Sequence, residues 1–97
     1  MNLTVTEEIA KWYKEELSIE TPAYIRFFPR YGGFGGHIPG FSIGINNDTP
    51  KDIFVETEVE GINFYIEKND AWYFDEVDLH VGYDDTLKEP KFSYNKL

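Results

Sequence analysis

No cysteine occurs among the 97 residues, so disulfides, thiolate nucleophiles and thiolate-held zinc or iron–sulfur clusters cannot be built within the chain. Basic residues are scarce: nine Lys and Arg stand against eighteen Asp and Glu, a formal net charge of −9. That balance repels phosphate backbones and anionic lipid surfaces and attracts basic protein surfaces, which argues against nucleic acid as a partner. No run approaches the ~20 apolar residues that span a bilayer, and the opening Met1-Asn2-Leu3-Thr4 lacks the basic flank and apolar stretch of a secretory signal. The expected location is cytoplasmic, away from membranes. No internal repeat, low-complexity linker or charge block marks a boundary, and residues 1–97 are read as a single domain.

What the chain has in quantity is aromatic surface, 18% of its residues from eight Phe, seven Tyr and two Trp. A chain of this size hides only about 60–65% of its extended surface on folding. Large rings supply the apolar area for one core without disulfides.

Periodicity predicts the elements. Val5, Ile9, Trp12, Tyr13 and Leu17 recur at the spacing of one helical face, giving a helix over about Val5 to Ser18 with Thr4 and Glu7 as its capping box and Pro22 helping to keep it from running on. The pattern then switches to a period of two. Ile25 to Phe28 reads as a strand ending near Pro29, which favours an edge or a strand end. Phe41, Ile43 and Ile45 alternate in another strand. Ile53 to Val59 and Ile62 to Glu67 flank Glu60-Gly61 as a hairpin, with Ile62, Phe64 and Ile66 on the buried face. Asn69 or Asp70 is expected to cap a short helical turn carrying Trp72, Tyr73 and Phe74, with Tyr73 the ring nearest solvent. Leu79, Val81 and Tyr83 mark a further strand, and Phe92 with Tyr94 either a weak pairing or a frayed end. The expected fold class is α+β, an N-terminal helix packed on a mostly antiparallel, barrel- or sandwich-like sheet.

Between the second and third elements, five glycines fall within nine positions from Gly32 to Gly40. No Gly-Lys-Ser/Thr follows and the next segment reads as a strand, so a phosphate loop is a poor match. With this loop, Leu3-Thr4 at the first helix, Tyr24-Ile25-Arg26-Phe27-Phe28, Gly61-Ile62-Asn63-Phe64-Tyr65-Ile66-Glu67 and Trp72-Tyr73-Phe74-Asp75, the chain resembles the HesB-like, or A-type, domains of iron–sulfur cluster biogenesis. Its likeness is greatest to their short YneR-like subgroup. The resemblance implies a compact, strand-rich fold with an N-terminal helix. Typical members hold iron or a cluster with three cysteines, one after the paired glycines of the loop and two in a Cys-Gly-Cys tail. Here Phe34 follows Gly32-Gly33, and Phe92-Ser93-Tyr94 runs to Leu97 with no counterpart of that tail. Kinship in fold does not carry the family's cluster chemistry across.

Other constellations read as ordinary. Glu56, Glu58 and Glu60 alternate on what a strand would turn to water, and Ser42 and Ser93 sit in no nucleophile-elbow pattern, so no enzyme is indicated. Arg26 and Arg30 share a strand face and together suit a carboxylate, although internal ion pairing is favoured. The expected function is a non-catalytic HesB-like protein with no cofactor and no metal, acting through protein contacts in iron–sulfur metabolism. Arg30, Tyr31, Phe34 and His37 are the candidate loop contact residues, and a protein partner or a second copy in a homodimer is the expected binder. The alternative is a metal-binding or iron-donor protein that uses His37, His80 and carboxylates.

Overall fold

The computed structural model describes residues 1–33 and 36–97. At its start, Leu3 and Val5 are buried while Thr4 between them is exposed, and the three form a strand, β1 (Leu3–Val5), instead of the first helical turn. Three residues are too few for a period of two to declare itself beside the helical spacing of Val5 and Ile9. The helix, α1 (Glu7–Glu16), is capped by Thr6, whose hydroxyl accepts from the Ile9 N–H at 3.2 Å, so Thr4 is not its cap. Glu7 and Glu8 favour its positive end. It stops well before Pro22: the Ile19 N–H reaches the Lys14 carbonyl and the Ser18 N–H that of Glu15, with Ser18 at φ 50°. This is a left-handed closure that satisfies the last carbonyls.

Among the described residues, seven strands form two mixed sheets. β2 (Ala23–Tyr31), β3 (Phe41–Asn46), β4 (Ile53–Val59) and β5 (Ile62–Glu67) lie in the order β3-β2-β5-β4, and β1 joins β6 (Val77–Asp84) and β7 (Glu89–Lys96) in the order β1-β6-β7. β1 runs parallel to β6 and β2 parallel to β5, while β2–β3, β4–β5 and β6–β7 pair antiparallel, in keeping with the mostly antiparallel expectation. Pro29 sits within β2, not at its end, and pairs with Ile43. It does so past Arg26, the last residue of β2 paired to β5, where the missing N–H leaves no ladder bond unmade. Phe92 and Tyr94 do not fray: β7 pairs with β6 over its full length, Tyr94 opposite Leu79 and Phe92 opposite Val81.

The β4–β5 hairpin turns on Glu60 and Gly61, both at positive φ, the backbone that a two-residue turn of matching twist requires. A side chain at Gly61 would also press on Thr21. Ile62, Phe64 and Ile66 are fully buried as expected. They share one core with Leu3, Leu79 and Val81 of the other sheet, Ile9, Ala10 and Tyr13 of α1, and Tyr73 and Phe74 of a 3-10 helix (Lys68–Phe74). Neither Asn69 nor Asp70 caps that helix; Glu67 precedes it without a side-chain cap bond, and Asp70 binds Arg26 at 2.7 Å.

Candidate protein-contact site

The glycine-rich loop is closed at its base by the Gly32 N–H donating to the Gly40 carbonyl at 2.6 Å and by the Ser42 hydroxyl donating to the Gly32 carbonyl at 3.0 Å. Its far side is pressed onto the body of the protein at Gly36, where a Cβ would collide with the Phe41 carbonyl and the Tyr73 hydroxyl. Only glycine permits that approach. Beside it His37 turns inward. Its Nε2–H donates to the Tyr73 carbonyl, which fixes the proton on Nε2 because a carbonyl can only accept. The imidazole packs against the rings of Tyr73 and Tyr94, at 4.8 and 5.0 Å between centroids.

From this interior group an aromatic chain runs outward. Tyr73 meets Phe41 at 5.7 Å, and Phe41 stands edge-on to Trp72 and to Tyr31, each at 5.6 Å. Tyr73 is fully buried, whereas Trp72 is 54% and Tyr31 87% exposed. The expected order of the two 3-10 rings is therefore reversed, because the tight helix points residue 73 at the core and residue 72 away from it. Two exposed rings held edge-on by the half-buried Phe41 present apolar area with less conformational entropy to lose on binding than free rings.

The sequence candidates fall in different places. Arg30 is exposed at the end of β2, opposite Ser42, and Tyr31 follows it on the aromatic face. Phe34 lies outside the described residues. His37 supports the loop from below. Arg26 and Arg30 do not act together: Arg26 pairs with Asp70 at 2.7 Å and Asp48 at 3.7 Å, and its guanidinium lies 5.4 Å from the Phe28 ring centre. Burial alone would lower the Arg26 pKa, but the hydrogen bond and charge of Asp70, with Glu67 and Tyr65, raise it.

His37 and His80 lie on opposite sides of one sheet. Tyr94, which touches His37, shares the inner face of β6–β7 with Leu79, whereas His80 pairs with Ser93 on the outer face and its Nδ1 meets the Thr4 hydroxyl at 2.7 Å. A shared two-histidine metal site is not formed. Among the described residues, no three His, Asp or Glu side chains are grouped as metal ligands would be.

One polar hollow escaped the sequence reading. Arg26, Asp48, Lys51, Tyr65 and Glu67 line a space of about 400 Å³. Its groups are spent on holding the β3–β4 connection: the Glu67 oxygens accept from the Lys51 and Asp52 N–H groups, both at 2.9 Å, and the Tyr65 hydroxyl donates to the Asp48 carbonyl at 2.8 Å. The hollow is a clasp, in which a buried carboxylate is satisfied by main-chain donors. No periodicity announces such a residue.

No family model matches the chain. It is 47% identical over 94 residues to a Bacillus subtilis (strain 168) protein named pyruvate dehydrogenase inhibitor, an alignment covering 97% of this chain and 99% of that one. It is 32% identical to an uncharacterized protein of Staphylococcus epidermidis, over 84% of this chain and 86% of the other. Its fold is similar to that in the crystal structure of IscA with the 2Fe-2S cluster, with a TM-score of 0.54 at 14% identity over 97% of this chain and 84% of the other. At that identity the likeness concerns the fold, and it agrees with the HesB-like architecture expected from the sequence. No described helix is long and apolar enough to cross a membrane. With near-complete coverage on both sides, the chain belongs to the family of the Bacillus subtilis pyruvate dehydrogenase inhibitor.

Proposed function

We propose that this chain is a non-catalytic regulator that binds pyruvate dehydrogenase and lowers its activity, making contact through the exposed aromatic face at the glycine-rich loop. The observation that carries the reading is the 47% identity, end to end, to a relative named as an inhibitor of that enzyme. Supporting it, Tyr31 and Trp72 are large exposed rings braced by Phe41, the residue types that dominate protein-contact energetics. Arg30 at the rim adds a charge-assisted donor. The expected place in iron–sulfur metabolism rests on likeness of fold alone, which does not carry an activity; the relative moves the proposed partner to pyruvate dehydrogenase. The chain acts as one domain and needs no cofactor in this reading.

Calorimetric titration of the chain into purified pyruvate dehydrogenase complex tests it. The reading requires saturable binding that is weakened by Trp72→Ala. Absence of heat and of co-sedimentation with the complex refutes it.

A further inference from the structure

Among the described residues, four strand edges are left unpaired by the two sheets: those of β1, β7, β3 and β4. Free edges invite other strands, and proteins blunt them with charge, proline or shortness. β4 carries exposed Glu56 and Glu58, β7 carries Glu89, Pro90, Lys91 and Lys96, and β1 is three residues long. β3 has none of these devices. Its six residues, Phe41-Ser42-Ile43-Gly44-Ile45-Asn46, include no charge and no proline.

The register says which groups that edge presents. Gly32 and Gly40 share a ladder bond, and hydrogen-bonded and non-bonded pairs alternate along an antiparallel ladder. Arg30–Ser42 and Phe28–Gly44 are therefore bonded pairs, and Pro29–Ile43 and Phe27–Ile45 are not; Pro29, with no N–H to give, agrees. The N–H and C=O groups of Ile43 and Ile45 consequently point away from β2. Beside them runs a groove of about 490 Å³, walled across from Ile43 and Ile45 by Leu87, Phe92 and Tyr94 and joined by Trp12 of α1.

We infer that the free edge of β3 accepts an extended segment of a partner protein as an added strand, with alternate apolar side chains set into the groove and basic residues between them. Strand addition takes its affinity from main-chain bonds and its specificity from pockets for every second side chain. The partner is a flexible segment and not a second copy for two reasons on the molecule. Residues of the β6–β7 hairpin line the same groove, so an added strand must fit beside them, which one extended chain does with less bulk than a strand held in its own sheet. Two copies, each of net charge −9, also repel, while the same charge draws a basic segment. The inference goes beyond the pyruvate dehydrogenase reading and stands without it, because its test uses a synthetic ligand.

The probe is the acetylated, amidated peptide Lys-Val-Thr-Val-Lys-Val-Thr-Val-Lys, titrated into the 15N-labelled chain. The expected result is saturable shifts along β3 and amide exchange at Ile43 and Ile45 slowed by about tenfold or more, with no such effect along β4 or β7. The same peptide N-methylated at every Val and Thr does not bind. Ile43→Pro, which removes an N–H that β2 does not use, weakens binding while leaving the spectrum dispersed; should that variant not fold, exchange in the unmodified chain decides. The inference is overturned by no saturable shift up to about 1 mM peptide, by binding that leaves Ile43 and Ile45 unslowed, or by a folded Ile43→Pro chain that binds equally well. Protection of Ile43 and Ile45 in peptide-free solution at the mass of a dimer likewise overturns it, since a second copy then holds the edge.

Discussion

Phe41 and Trp72, far apart in sequence, meet edge to face with ring centroids 5.6 Å apart. This contact ties the first residue of β3 to the 3-10 helix, and through Phe41 it also fixes Tyr31. The exposed rings are thus held on rigid elements instead of hanging from the loop. In the proposed complex, Trp72→Ala weakens binding by about 2 kcal/mol, roughly thirtyfold. Because Trp72 is 54% exposed, its removal leaves stability within about 1 kcal/mol of the parent. Parallel calorimetry and urea unfolding check both halves.

The loop seat makes a separate prediction. Gly36→Ala sets a methyl against the Phe41 carbonyl and the Tyr73 hydroxyl, neither of which is the free end of a flexible chain, since Tyr73 is fully buried. The expected loss is about 1–3 kcal/mol in urea unfolding. An unchanged midpoint shows that the loop is not seated on the core.

The helix end offers a gain. Ser18 holds φ 50° while closing α1, a conformation that costs a residue with a Cβ about 1 kcal/mol and glycine almost nothing. Ser18→Gly is expected to raise stability by about 0.5–1 kcal/mol, read as a higher melting temperature with unchanged far-UV dichroism.

Much of the fold was legible where a period ran long enough to count. The hairpin over Ile53 to Glu67 and its buried Ile62, Phe64 and Ile66 follow from alternation plus a turn pair, and β3 and β6 from alternation alone. β1 was hidden because Val5 continues the helical spacing of Ile9, and only its pairing with β6 decides between the two. The firmness of β7 comes from its partner, not from its own Glu-Pro-Lys-rich sequence. At the site, Tyr31 could be named from the sequence as the flank of a glycine loop. Which of Trp72 and Tyr73 faces water could not, because it depends on the rotation of one tight turn. The clasp at Glu67 depends on two main-chain donors brought from a distant connection.

That clasp carries a pH signature. The bond from the Lys51 N–H lowers the Glu67 pKa below its ordinary 4.5; burial opposes this, while the Asp52 N–H and the Arg26 charge add to it. The folded value lies below the unfolded one, so the contribution is fully present above about pH 4.5 and is lost as pH falls through the depressed folded value. Glu67→Gln turns an amide donor toward one of two main-chain donors and costs about 1–3 kcal/mol at neutral pH. Urea midpoints of parent and variant are expected to converge on acidification; parallel curves contradict the assignment.

The most direct test of the central claim is a titration of pyruvate dehydrogenase activity with the chain and with its Tyr31→Ala, Trp72→Ala double variant. The parent is predicted to lower the rate saturably, and the folded double variant to need at least about thirtyfold more protein for the same effect. An unchanged rate with the parent, or equal inhibition by the double variant, contradicts the account.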